Sequence, residues 1–360
     1  MFKHGNQSLW NNTRKKVSSM KNKKGFSINE VAKQADVSIT TVSRVLNYPD
    51  KVKKSTYEKV MRVVNDLNYE SNSLDLRLAR DRVKLVAIFT PTVESESLNE
   101  ISRGVLEELE RNDIDSFVWN ANESTYTEMR TYAALQQAQV SGAVFIMSCV
   151  EDFSISKVLQ QMPVVVIERK VPEEHEIDTI YVDSAQGMDR LVGHLHQLGH
   201  RHIGLLCGDI TGSSASEKSN AYRKSIVDRR MEWDASRVVS SGWTRKCGYM
   251  GLKQVLAMHP ETTATICLSD ELATGAINYA QESGLRCPQD ISIVGFDNTP
   301  SGEFNYPKLT TLSYPNYEMG QMAARSIVNR LNDWKVDPKK TVYPLNLLIR
   351  DSSGPVKEEE

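Results

Sequence analysis

The sequence predicts a composite α/β fold: an all-α helix-turn-helix headpiece, a hinge, and then two doubly wound α/β subdomains. Three observations carry this. Apolar residues recur at helical spacing between residues 27 and 67, and from Lys84 short apolar runs alternate with amphipathic segments. Charge is split as well: residues 1–82 hold 17 Lys/Arg against 8 Asp/Glu, net +9, and the remainder is net −11 in a chain of net charge −2. A chain of 360 residues has room for two or three domains.

Residues 1–24 carry seven basic residues, no acidic ones and no periodicity, and read as a disordered basic extension. Residues 25–70 form the headpiece. Ser27 and Glu30 make an S-x-x-E capping box that satisfies orphan N–H donors at a helix start. Ile28, Val31, Ala32 and Ala35 follow as one apolar stripe. Asp36-Val37 makes the turn, and Ser38 caps a second helix whose Val42, Val45 and Leu46 face the first. Ile39, Thr40, Ser43 and Arg44 are left on the outer face, near the helix N-terminus. Pro49 and Asp50 mark a loop, after which a third helix buries Val60, Val63, Val64 and Leu67. Residues 71–83 are a short basic hinge with Leu74 and Leu78 one turn apart. A piece this short is marginal as an isolated helix in water and suits folding on a partner.

Residues 84–351 alternate strand and helix. KLVAIF (84–89), SFVW (116–119), AVFIM (143–147) and VVVI (164–167) make one series of buried runs. TIYV (179–182), HIGLLC (202–207), ATICL (264–268) and ISIVGF (291–296) make a second, with a last strand near Tyr343–Ile349. Two series imply two subdomains with a cleft between them, and open α/β sheets bind ligands outside the carboxyl ends of their strands. Residues 352–360 read as a disordered tail.

Composition narrows the function classes. Hydrophobic content of 40% and charge of 25% are ordinary for a globular protein. No apolar run reaches the length of a membrane span, and no apolar signal core opens the chain, so the expectation is a cytoplasmic protein. Cys149, Cys207, Cys247, Cys267 and Cys287 are widely spaced and read as buried thiols. His194, His196, His200 and His202 lack metal-ligand spacing and read as structural. No P-loop, G-x-S-x-G or G-x-G-x-x-G occurs, and no nucleophile–base set can be assembled, so an enzyme is not expected. A basic head on an acidic body suits polyanion binding by the head alone.

VSITTVSRVLN, followed by KVKKSTYEKVMRVVNDLNY, resembles the headpiece of the lac-repressor (LacI/GalR) family of bacterial transcription regulators. The likeness continues to about Asp351 through VVVIERK (164–170), YVDSAQG (181–187), LGHRHIGLL (198–206), CLSDELATGA (267–276), VGFDNTP (294–300) and PKLTTLSYP (307–315). It implies two subdomains of periplasmic-binding-protein type, a homodimer, double-stranded operator DNA and a small-molecule effector, without cofactor, metal or membrane. MKNKKGFSINEVAKQ from Met20 is the usual lead-in of such a headpiece. Residues 1–19 are therefore expected either to precede the true start or to act as a phosphate-binding arm. The alternative is a solute-binding protein of the same two-lobed fold, against which the headpiece argues.

By this resemblance Ile39, Thr40 and Arg44 read bases, Arg44 through paired hydrogen bonds to guanine. Ser38, Thr41, Ser43, Thr56, Lys51 and Lys53 would hold phosphates, which position without specifying; Thr41 and Ser43 read equally as helix filler. Leu78 would wedge into the minor groove. Effector contacts fall on Glu168, Lys218, Trp243, Ser269, Asp297 and Tyr314, with a core aromatic the alternative for Trp243 and a strand-end cap for Asp297. The chain departs from the family pattern at several positions. Asp36 replaces the usual turn glycine, Ser71 a proline and Asp75 an alanine, the last setting a carboxylate beside phosphates. Ser95-Glu96-Ser97-Leu98 replaces an Asn-Pro-aromatic-aromatic stretch, and Lys218 stands at an arginine position. These last two leave a sugar, a sugar phosphate or another metabolite open.

Overall fold

The computed structural model describes residues 28–47, 52–67, 84–120, 140–147, 162–169, 171, 177–209, 213–333 and 336–357. The chain divides into two compact units, Met1–Val83 and Lys84–Glu360. Ser27, Lys51, Leu78, Ser71 and Asp75 lie outside the described residues, as does Cys149.

In the first unit, α1 (Ile28–Gln34), α2 (Ile39–Asn47) and α3 (Lys54–Asp66) enclose one small core. Val31, Val42 and Val60 are fully covered, Ile28, Ala32, Ala35, Val45 and Val64 nearly so, and Val63 and Leu67 pack at the edge. Each buried aliphatic side chain contributes about 1.5–3 kcal/mol, so a core of this size holds three short helices that would melt alone. The α1–α2 turn runs through Asp36 at φ 45°, a left-handed conformation that Asp tolerates better than most residues. Lys59 of α3 donates to the Asp36 carbonyl at 3.4 Å and pairs with its carboxylate at 3.7 Å, tying the turn to the third helix.

The second unit has two six-stranded sheets. The first orders β1 (Leu85–Thr90), β2 (Asp115–Asn120), β3 (Gly142–Ile146), β4 (Val164–Ile167), β5 (Asp178–Val182) and β11 (Lys340–Tyr343) as β11-β5-β4-β3-β1-β2, all pairs parallel. The second comprises β6 (Ile203–Cys207), β7 (Val238–Ser240), β8 (Ala264–Cys267), β9 (Ser292–Asp297), β10 (Thr310–Ser313) and β12 (Asn346–Leu348), ordered β12-β10-β9-β8-β6-β7. Only the β10–β12 pair in it is antiparallel.

Two strand expectations are corrected. TIYV (179–182) belongs to the first sheet, where it pairs with β4, because the crossing to the second lobe comes after it. The single strand expected near Tyr343–Ile349 is two strands in different sheets, with Pro344 between them; proline lacks the N–H that would continue a ladder.

The chain crosses between lobes at 182–184, 313–316 and 343–346. Helices α4 (Glu96–Arg111) and α10 (Asn316–Asn332) pack together on the first sheet, and α5 (Ser184–Gln197) packs on α6 (Ser213–Asp228) in the second lobe. Also in that lobe, α7 (Arg245–Met258) packs on α8 (Asp270–Glu282), and short α9 (Pro300–Phe304) follows β9.

The tail is corrected too. Ser352 is fully buried, its hydroxyl donates to the Ile293 carbonyl at 2.6 Å, and Val356 N–H donates to the Leu198 carbonyl at 2.9 Å. His194 and His200 bond the same segment, at Ser353 and Gly354. Polar Ser352-Ser353-Gly354 looked solvated in sequence, but it supplies partners for buried polar groups of the second lobe. Of the cysteines, Cys207 and Cys267 are buried as expected, whereas Cys247 and Cys287 are only partly covered.

Candidate functional site

Helix α2 presents the first candidate surface. Ser38 precedes it: its Oγ accepts the Thr41 N–H at 3.1 Å and lies 2.8 Å from the Thr41 hydroxyl. Both hydroxyls thus sit together at the helix start, where a side-chain oxygen satisfies an orphan donor. Ile39 is 41% exposed, although an isoleucine gains by burial. Thr40 is exposed, and Arg44 follows it by four residues on the same exposed face. Ser43 departs from expectation. It is 5% exposed, because it follows Val42 and precedes Leu46 by one turn, and its short side chain falls on the packed side. Lys53 is exposed just before α3, and Thr56, half-buried, donates its N–H to the Lys53 carbonyl at 2.9 Å.

The second candidate site lies in the unit of two lobes. Glu168 follows β4, Ser269 follows β8, Asp297 ends β9 and Tyr314 follows β10, so all four stand at carboxyl ends of strands. Glu168, Lys218, Asp297 and Tyr314 are each at most 7% exposed. Glu168 accepts the Val182 N–H at 3.1 Å and faces the Lys218 ammonium at 3.9 Å. That ammonium also stands 4.1 Å from the centroid of the Phe296 ring. The Tyr314 hydroxyl donates to Asp297 Oδ1 at 2.8 Å. Burial pushes Asp297 up to about 8 against the pull of Lys218, and pushes Glu168 and Tyr314 upward too. Glu168 (φ 58°), Asp297 (φ 112°) and Asn298 (φ 53°) hold left-handed backbone without being glycine. Such strain concentrates at functional sites.

Ser269 and Trp243 are engaged otherwise. The Ser269 hydroxyl caps α8 by accepting the Leu272 N–H at 3.2 Å. The Trp243 indole rests on Gly208, where a Cβ would lie within 2 Å of the ring, and packs against the cores on both faces of its sheet.

Sequence reasoning missed three further residues. Ser97, at the start of α4 in the first lobe, donates its hydroxyl to Asp297 Oδ2 at 3.3 Å across the cleft. Its neighbour Glu96 accepts the Ser301 N–H at 3.1 Å and the Ser301 hydroxyl, and faces the Arg245 guanidinium at 3.5 Å. Both lie in the stretch that departs from the family pattern, and that departure was their only signal. Asp270, the third, is pushed up to about 6 by burial and accepts from Thr311, at 2.6 Å, and from Thr299. With the lobes latched, the space beside Glu168, Tyr181, Ser214 and Glu217 is about 30 Å³. Small-molecule sites span about 300–1,000 Å³, so this space is too small for one as it stands. A larger space, about 500 Å³, lies beside Glu96, Asn99, Ser301 and Phe304.

A helix-turn-helix with an exposed reading face, joined in one chain to a two-lobed ligand-binding fold, defines a DNA-binding transcription regulator with an effector domain. Residues 27–72 match the bacterial regulatory proteins of the lacI family, and residues 192–353 match the periplasmic binding protein-like domain. The chain is 30% identical to the HTH-type transcriptional regulator DegA of Bacillus subtilis (strain 168), over 91% of this chain and 98% of that one. It is similar to the lac repressor dimer bound to operator and the anti-inducer ONPF (25% identity, TM-score 0.74, 92% of this chain, 100% of that chain). It is also similar to the CelR–cellobiose complex (26%, TM-score 0.69, 91% and 99%). The chain belongs to the lacI family.

Proposed function

We propose that this chain represses transcription by binding a pseudopalindromic operator as a homodimer, and that a small molecule entering the cleft changes operator affinity. The observation that carries this is the exposed face of Ile39, Thr40 and Arg44 beside the Ser38–Thr41 cap. In this reading Arg44 specifies guanine, Ile39 meets a thymine methyl, and Ser38, Thr41, Lys51, Lys53 and Thr56 hold phosphates. Leu78 wedges the central step, from a hinge spanning residues 71–83. Ser43, being buried, is left out. Glu168, Lys218, Asp297 and Tyr314 form the effector floor, with Trp243 and Ser269 at its margin. A sugar or related metabolite is the effector, a reading supported by the cellobiose bound to the similar CelR. The protein acts in the cytoplasm, without catalysing a reaction; no described helix is long and apolar enough to cross a membrane.

The test is selection of bound duplexes from a random pool by the full protein. A pseudopalindrome with a fixed, flexible central pyrimidine–purine step is expected. Half-sites without a fixed centre would remove Leu78 from the account, and no enrichment would remove operator reading itself.

A further inference from the structure

The closed cleft contains its own substitute for a ligand. Asp297 accepts two hydroxyl donors: Tyr314 from its own lobe, and Ser97 from the opposite lobe at 3.3 Å. Parting the lobes removes Ser97 and leaves Asp297 Oδ2 facing whatever enters. The entering group meets a carboxylate-rich surface, with Glu168 across from it and Asp270 behind Asp297, 4% and 1% exposed. Among the described cations close by, Arg169 lines the same space as Glu168. Lys218 is shared between Glu168 and the Phe296 ring, and Arg350 donates to Leu309 and Asn298 and pairs with Glu303.

We propose that the cleft takes a hydroxylated amine, an amino sugar or a compound of like chemistry, whose ammonium replaces the Ser97 hydroxyl on Asp297. This rests on the effector reading above. A phosphate ester would bring its anion toward Glu168, Asp297 and Asp270, with Lys218 already facing Glu168, so that class is disfavoured. A neutral sugar satisfies the hydrogen bonds and no more, whereas an ammonium turns the contact with Asp297 into a charge-assisted one.

Binding of a cation has a proton signature. Asp297 is faced by Lys218 from α6, Asp270 from α8, Tyr314 after β10 and Glu168 after β4, and burial pushes it up to about 8. At pH 7 it therefore holds a proton in the empty closed cleft, and an arriving ammonium expels that proton. Affinity for the amine rises between about pH 6 and pH 8, whereas affinity for a neutral sugar does not.

The experiment titrates the full protein with glucosamine, glucose and glucose 6-phosphate, and with galactosamine and galactose. Melting temperature and isothermal titration are the readouts, at pH 6 and pH 8. Each amine is expected to bind at least about tenfold more tightly than its neutral parent, the difference between charge-assisted and neutral hydrogen bonding, and the phosphate not at all. Asp297→Asn should bring amine and parent to parity. A neutral sugar or phosphate binding as well as the amine overturns the class while leaving the effector reading intact. No response to any compound at either pH overturns both.

Discussion

Arg44 is the only long donor side chain on the exposed face of α2, so the sequence code of a half-site rests on it more than on its neighbours. Replacing it with Ala should remove about 1–3 kcal/mol of discrimination at one guanine while leaving salt-sensitive, non-specific binding in place. Gel shifts against the selected operator and a scrambled duplex measure both. Retained preference would move the code elsewhere. Asp36 offers a second residue-scale test, because its φ of 45° is strained for a branched side chain. Asp36→Val should destabilise the headpiece by about 1–2 kcal/mol in urea unfolding. Asp36→Gly should be neutral or better, since the ion pair it forfeits with Lys59 is solvent-exposed and contributes little. Equal losses in the two variants would show that the carboxylate, rather than the backbone angle, matters at the turn.

Among the elements, α4 and α10 approach each other closely, and glycine makes it possible. A Cβ on Gly104 would lie 2.1 Å from the Tyr317 carbonyl oxygen, and one on Gly320 would lie 2.1 Å from that of Ile101. The contact is backbone on backbone, so neither helix can yield by a rotamer change. Gly104→Ala should cost at least about 1–3 kcal/mol of effector-domain stability, the usual range for overpacking, despite the higher helix propensity of Ala. An unchanged urea midpoint would mean the two helices slide apart freely. Elements of this kind were legible in sequence as periodic runs, but their partners were not. TIYV was a strand by pattern, yet only the crossing after Val182 assigns it to the first sheet. The single strand expected near Tyr343–Ile349 hid two, on either side of Pro344, because a register of apolar residues does not say which sheet a chain joins after Pro344.

At the scale of the whole molecule, the resemblance pointed to residues that the structure buries against one another, and the contacts that shut the cleft were invisible. Glu168, Asp297 and Tyr314 stand in recognisable motifs, whereas Glu96, Ser97 and Ser301 meet only because two lobes built from interleaved segments face each other. Closure has a pH dependence whose sign follows from the buried carboxylates. Asp297 and Asp270 are pushed up to about 8 and about 6, and Glu168 also upward, while an open cleft lets Asp297 and Glu168 return toward ordinary values near 4. The closed form holds the extra proton between those limits, so closure is favoured at low pH and weakens as pH climbs through about 8. His200, held below its usual value by burial, has the opposite sign, losing stability as pH falls through about 6.5. It binds the tail within one lobe and does not report on the cleft. The Ser301 amide, which donates to Glu96, is the direct reporter. Its hydrogen-exchange protection factor in the empty protein should fall between pH 6 and pH 8.5, and Asp297→Asn should flatten that slope. Glu96→Ala should lower protection at every pH by removing the acceptor. A flat profile in the unaltered protein would show that closure does not depend on these protons, and that the latch at Glu96 acts without the carboxylates beneath it.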